Sequence, residues 1–191
     1  MIDLVKKAWN LAEKGHKGVT RKFSGIPYFE GHVVKVYEFV KKFTNDPELL
    51  AASLLHDTLE DVEWITEEMI LEEFGQRVLN IVKELTSDDI KVKEMGKANY
   101  LLEKMTNQSD DALLIKLCDR LANISDYPTQ SDSFRQKYYK ETRFIMNNLV
   151  KKRKLNQTQQ EAADMVNEIL SEMEKRHGLK YLESFSNFKN K

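Results

Sequence analysis

The sequence predicts an all-α protein, and three observations predict it. Glycine and proline are scarce, seven and three in 191 residues, as expected where helices leave few turns to build. Apolar residues recur at helical spacing along most of the chain. No stretch alternates apolar and polar residues for long enough to make a half-buried strand. About eight to ten helices are expected, with no substantial sheet.

The elements follow in order. Residues 2–14 place Val5, Ala8, Trp9 and Ala12 on one helical face. A polar loop rich in Lys, Arg and Gly occupies 16–27. A second helix begins near Tyr28 and turns Val33, Val36, Tyr37 and Val40 inward. Asp46-Pro47 signals a third start, with Asp as N-cap and Pro in the first turn. That helix is expected over 48–59, nearly all apolar up to Leu55. Thr66 caps a short helix ending at Phe74-Gly75, and another follows through Val78, Ile81, Val82 and Leu85. One helix is expected over 92–105. Ser109 caps the next, which runs through Ala112-Leu113-Leu114-Ile115 to Leu117-Cys118. A long helix over 133–151 presents Phe134, Tyr138, Ile145 and Leu149. The last is expected to open on a Thr158/Glu161 capping box and to stop near His177-Gly178. The tail to Lys191 is polar.

Composition narrows the function. Hydrophobic residues make up 41% and charged residues 32%, a soluble composition. The formal net charge of -1 lacks the basic excess of a nucleic-acid binder, although a local basic patch suffices for a small anion. The lone cysteine, Cys118, cannot form an internal disulfide. No signal peptide or membrane-spanning run is visible. A cytoplasmic protein without membrane or nucleic-acid partners is expected. There is no repeat, low-complexity segment or linker, so residues 1–191 are expected to form a single domain, with a metal-site core at about 16–126 and C-terminal helices at about 131–178.

Two apolar helices each carry a group foreign to a core. One reads Leu54-Leu55-His56-Asp57-Thr58-Leu59-Glu60-Asp61, the other Leu114-Ile115-Lys116-Leu117-Cys118-Asp119-Arg120-Leu121. An unpaired buried carboxylate costs several kcal/mol, so such groups are paired or metal-bound. Asp57 and Asp119 sharing a cation accounts for both. His56 adds a nitrogen, and His32 a second imidazole, giving a set suited to zinc, manganese or iron. Glu60 and Asp61 lie four residues after His56 and Asp57, on one face if the helix continues. There they would stand beside a metal and its water, as a carboxylate that takes a proton must.

Taken singly, each residue also has an ordinary reading. Asp119 can pair with Arg120, Glu60 and Asp61 can be a solvated helix end, and His32 can be a core histidine. His16 is read as stabilising the first loop, and His177 as complementing a helix C-terminus. Cys118 is read as an inert core thiol, and Lys151-Lys152-Arg153-Lys154 as a solvated loop.

Together the stretches His16-Lys17-Gly18, Arg21-Lys22-Phe23-Ser24-Gly25-Ile26-Pro27-Tyr28, His32, His56-Asp57-Thr58-Leu59-Glu60-Asp61, Phe74-Gly75, Leu85-Thr86 and Lys116-Leu117-Cys118-Asp119-Arg120-Leu121-Ala122-Asn123 resemble the HD-domain metal-dependent phosphohydrolases. Among these the chain is most similar to the hydrolase domain of the RelA/SpoT family, especially its small stand-alone hydrolases. The resemblance implies a helical HD fold holding one divalent transition metal, manganese, through His32, His56, Asp57 and Asp119. It implies removal of the 3′-pyrophosphate from guanosine tetra- or pentaphosphate. Glu60 and Asp61 would position or activate water, and Arg21, Lys22, Ser24 and Asn123 would contact the nucleotide. On this resemblance no synthetase domain is expected to follow. No histidine lies between Asp57 and Asp119, where the dinuclear HD proteins keep ligands for a second ion.

Three departures from the family pattern are visible. The family places its first histidine three residues after the Pro-Tyr tyrosine, whereas Phe29-Glu30-Gly31 makes the spacing from Tyr28 to His32 four. Phe23 separates Arg21-Lys22 from Ser24-Gly25, and Ala122 stands where the family often has histidine. Two other functions use a site of this kind: a 5′-nucleotidase acting on nucleoside monophosphates, and a non-catalytic nucleotide-binding sensor. Glu60, Asp61 and the Arg-Lys loop favour the pyrophosphohydrolase over the first, and the complete ligand and acid sets favour it over the second.

Overall fold

Two helices made mostly of buried residues set the architecture of the computed structural model, which describes residues 2–181. One is α3 (Pro47–Leu55), in which every side chain from Leu49 to Leu55 is buried. The other is α9 (Asp110–Ser125), buried along most of its length. Each fully buried Leu or Ile contributes roughly 1.5–3 kcal/mol, enough to carry one costly polar group. The remaining helices wrap these two. α1 (Ile2–Gly15) packs on α3, as do α2 (Val34–Val40) and α6 (Gln76–Leu85). α11 (Gln157–His177) packs on α9, which also meets α2. α10 (Asp132–Lys152) covers α8 (Lys97–Asn107). The shorter α4 (Thr58–Asp61), α5 (Glu67–Phe74) and α7 (Asp89–Met95) complete the α-helices, joined by a 3-10 turn at Tyr127–Thr129. No strand occurs among the described residues, and an isolated bridge between Thr20 and Pro27 closes the first loop. No described helix is long and apolar enough to cross a membrane.

Several starts follow from the sequence. Asp46 caps α3 by accepting from the Glu48 amide at 3.0 Å, with Pro47 in the first turn. Thr66, Ser109 and Ser131 cap α5, α9 and α10 through their hydroxyls.

Five expectations are corrected. The helix expected over 48–59 breaks at His56-Asp57 into α3 and α4. Asp57 sits at φ -103°, ψ -1°, the bridge region that turns favour, and the Thr58 hydroxyl donates to the Leu55 carbonyl at 2.7 Å, which competes with helix continuation. The helix expected over 92–105 is split at Gly96, whose φ of +77° only glycine adopts readily. These breaks leave eleven α-helices among the described residues, more than expected. The capping box is Asn156/Gln159, because the Asn156 side chain accepts from the Gln159 amide at 3.0 Å; Thr158 instead donates to Asn156. Finally, 151–154 is not simply a solvated loop. Lys151 and Lys152 end α10, and the half-buried Arg153 guanidinium donates to the carbonyls of Met105, Thr106 and Gln108 and pairs with Asp110. The expectation for the polar tail falls on 182–191, outside the described residues.

Candidate metal centre and nucleotide pocket

Three elements bring the first cluster together. His56 and Asp57 follow the C-terminus of α3, Asp119 lies within α9, and His32 belongs to a short π-helix, Phe29–Val33, that touches both α3 and α9. π-Helical turns are rare and concentrate at functional sites. Here the turn absorbs the extra residue between Tyr28 and His32, so the longer spacing still brings His32 to His56.

The donor atoms of His32, His56 and Asp119 all lie within 4.8 Å of one another. The two Nε2 atoms are 3.2 Å apart. Asp57 Oδ2 is 2.9 Å from His56 Nε2 and 3.3 Å from His32 Nε2, and Asp119 Oδ1 is 3.3 Å from His32 Nε2. His56 Nδ1 sits 2.8 Å from the Ser53 carbonyl, which can only accept, so Nδ1 carries the hydrogen. That leaves His56 Nε2 turned toward the Asp57 carboxylate and the His32 Nε2, as the ligands of one shared cation converge. Burial pulls His32 down, but hydrogen bonds with Asp119 and Asp57 outweigh it and raise this imidazole to about 9. Against the opposing effect of burial, the neighbouring His56 and His32 hold Asp57 well below the usual carboxylate range, and Lys116 and His32 do the same for Asp119. Two imidazoles and two carboxylates that favour positive charge suit a divalent cation, and fixing one imidazole through a backbone carbonyl is the usual support for a ligand.

Residues around the cluster constrain it further. The Tyr28 hydroxyl donates to Asp57 Oδ2 at 2.7 Å. Lys116 Nζ pairs with Asp119 Oδ2 at 2.8 Å, and Asn123 Nδ2 donates to Asp119 Oδ1 at 2.6 Å. Arg120 does not pair with Asp119; it turns to Glu141 and Thr142 and lies over the Tyr138 ring. Glu60 and Asp61 follow on α4, whose first turn is tied to the Asp57 carbonyl by both their amides. Partial burial of the Asp61 carboxyl, then the charges of Asp57 and Glu60, raise it to about 6. Glu60 Oε2 accepts from the Ser87 amide at 2.9 Å.

A pocket is lined by Arg21, Lys22, Ser24 and Asn123, all four expected nucleotide contacts, together with Phe23, Asp126, Thr129, Gln130, Phe134 and Tyr138. Arg21 Nη2 donates to Asn123 Oδ1 at 3.0 Å and pairs with Asp126 at 2.7 Å; Lys35 reaches the other Asp126 oxygen at 2.6 Å. Asn123 therefore joins the pocket to Asp119. The Phe23 ring lies 4.8 Å from that of Phe134, with Lys22 Nζ above both. Gly31 lets the loop close on the π-helix: a Cβ there would meet Arg21 Cγ and Ile26 Cγ2 at 3.1 Å.

The other singled-out residues lie apart from this chemistry or beside it. His16 is buried against the Tyr28 ring, with no hydrogen-bond partner for either ring nitrogen among the described residues, and burial lowers it. His177 ends α11, 3.2 Å from an Arg135 nitrogen. Cys118 is buried, and burial pushes its thiol up, as an inert thiol requires. Sequence reasoning did not assign site roles to Tyr28, Lys116, Asp126 or Ser87. Lys116, three residues before Asp119 on a helix, carried the one local signal. The other three depend on how loops and turns fold back.

A family model described as HD domain matches residues 8–156. The guanosine-3′,5′-bis(diphosphate) 3′-pyrophosphohydrolase MESH1 of Xenopus tropicalis is 36% identical over 125 residues, covering 64% of this chain and 69% of that protein. The protein of the same enzyme name from Aquifex aeolicus is 35% identical over 72% of this chain but only 20% of its own length. A GTP pyrophosphokinase of Streptomyces coelicolor is 32% identical over 87% of this chain and likewise 20% of that protein. The chain thus spans about a fifth of these two long relatives. A solved structure of a metazoan ortholog of SpoT, described as hydrolysing ppGpp, superposes with a TM-score of 0.74 at 25% identity, covering 93% of this chain and 97% of that one.

Proposed function

The chain belongs to the HD-domain family, and from that premise we propose that it is a metal-dependent phosphohydrolase removing the 3′-pyrophosphate from guanosine tetra- or pentaphosphate or a related nucleotide. The observation that carries this reading is the Arg21–Asn123–Asp119 link. It sets a cation-lined, aromatic-walled pocket directly beside a cluster suited to a metal, as a nucleotide bearing a scissile phosphate requires.

In this reading His32, His56, Asp57 and Asp119 hold one divalent ion, manganese. When bound, the ion supplies a Lewis acid that polarises phosphoryl oxygen and lowers the pKa of water. Asp61 and Glu60 orient the attacking water and accept its proton at a carboxylate oxygen, and the raised Asp61 carboxyl suits proton exchange near neutrality. Arg21 and Lys22 bind the anionic nucleotide, while Ser24 and the pocket's aromatic wall frame the base. Tyr28 holds Asp57 in place, and Lys116 holds Asp119. Residues 1–191 act as one HD unit, the helices after about residue 131 supporting the core at about 16–126. The substrate is a small nucleotide in the cytoplasm, with neither nucleic acid nor a membrane as partner.

The test uses chelator-stripped protein reloaded with manganese. Guanosine tetraphosphate should yield guanosine diphosphate and pyrophosphate only when metal is present, and elemental analysis should give about one ion per chain at saturation. Phosphate release from a nucleoside monophosphate, with guanosine tetraphosphate untouched, would favour the nucleotidase. Tight nucleotide binding without turnover would favour a sensor.

A further inference from the structure

A turn outside the metal cluster reaches one of its acids. α6 ends at Leu85, leaving carbonyls that need partners. Lys104, on the distant α8, sends its ammonium to two of them: Nζ donates to the Leu85 carbonyl at 2.8 Å and to that of Thr86 at 2.5 Å. Tyr100, one turn earlier on α8, accepts the Asp88 amide on its hydroxyl at 2.8 Å. Between these two fastenings, the Ser87 amide donates to Glu60 Oε2 at 2.9 Å. Glu60 stands exposed on the four-residue α4, where a glutamate would otherwise sample many rotamers.

We propose that Lys104 and Tyr100 are positioning residues for Glu60: from α8 they fix the Thr86–Asp88 turn, and that turn aims the Glu60 carboxylate through the Ser87 amide. The proposal rests on the reading of Glu60 as a group that handles the attacking water. A fixed Oε2 leaves the other oxygen held in one direction for a proton.

Lys104 is more than a tie for a helix end. Its ammonium feels the charges of Lys116 and Asp119 on α9, Glu60 on α4 and Asp88 in the turn, and lies 5.6 Å from the Tyr100 ring. Burial, then the Lys116 charge, push it down to about 8, against the pull of the three carboxylates. As pH rises through that value, the two carbonyl bonds lose their charge assistance and Glu60 loses a neighbouring cation. Turnover should therefore show an alkaline limb that belongs to Lys104.

The experiment compares metal-loaded wild-type protein with Lys104→Met, Lys104→Arg and Tyr100→Phe, measuring kcat, KM, metal content and the pH profile with guanosine tetraphosphate. Lys104→Met should lower kcat about tenfold, the scale of losing a supporting partner one step behind a reacting group. KM should stay within about twofold and metal content should not change. Lys104→Arg should restore most of the plateau and move the alkaline limb upward, because a guanidinium does not titrate in this range. Tyr100→Phe should lower kcat less, again without a change in KM. The Ser87 amide resonance, followed by NMR in protein loaded with a diamagnetic divalent ion, should shift in Lys104→Met as it does in Glu60→Gln. A full kcat with an unmoved limb in Lys104→Met overturns the proposal, and so does a Ser87 resonance blind to Lys104. If wild-type protein fails to turn over the nucleotide, the proposed reaction is lost; the Ser87 resonance still decides whether Lys104 sets the Glu60 carboxylate.

Discussion

The metal cluster and the nucleotide pocket share Asn123 but are built in opposite ways. The cluster hangs on α3, α9 and the π-helix, and His32, His56 and Asp119 are all buried. The pocket is walled on one side by a loop, 16–27, closed by a single bridge, and carries half-exposed Phe23 at its rim. Rigid packing fixes ligand atoms to a few tenths of an ångström, which metal binding needs. A loop wall tolerates change and suits recognition, where different substrates call for different walls. Chemistry should therefore be brittle to substitution on the first side and graded on the second.

The largest effect expected is from His56→Ala or Asp119→Ala. Either should cut metal retention and turnover together, because each removes one of the four donors proposed for a labile divalent ion and leaves the others without their shared charge. Metal stoichiometry and activity measured on the same preparation check this; full occupancy in either variant would remove that residue from the ligand set. Asp61→Asn should fall next, keeping its metal and losing roughly 10²-fold in kcat, the scale of a positioned proton acceptor. A near-normal rate would move proton transfer elsewhere. On the pocket side Lys22→Ala should raise KM about tenfold, the scale of one charge-assisted hydrogen bond, with kcat little changed. Lost turnover at constant KM would place Lys22 in the chemistry and erase the contrast. The mildest change is Gly31→Ala, where a Cβ 3.1 Å from Arg21 and Ile26 must push the loop outward. KM should rise roughly threefold, within the cost of modest overpacking, at unchanged metal affinity.

The same contrast explains what could be read in advance. Helical spacing and the caps at Asp46, Thr66 and Ser109 located most elements, because those signals are local. His56, Asp57 and Asp119 stood out because each interrupts an apolar run, and the fold bears out that α3 and α9 are core helices. The break after Leu55 was not legible. Six apolar residues between Leu49 and Leu55 favour continuation through His56-Asp57, and only the Thr58 hydroxyl and the pull of the cluster on Asp57 oppose it. The split at Gly96 was likewise hidden, since a lone glycine inside a helical pattern is often tolerated. Asp126 looked like a loop residue. Its grip on Arg21 and Lys35 spans more than ninety positions of sequence, and no local pattern encodes that. The Asn156 cap was missed because Thr158 two residues later offered an equally good signature.

The π-turn at Phe29–Val33 has a consequence for the angular register of the chain. One residue added to an α-helix rotates everything after it by about 100°, which would swing Val36 and Val40 out of the core. Widening a single turn takes up the extra residue locally, so both valines remain fully buried while His32 stays against its partners. Deleting Glu30 should therefore be easier on the fold than deleting any residue of α2. The wide turn is where the backbone can lose a residue and close to an ordinary helix, with the helix beyond it keeping its phase.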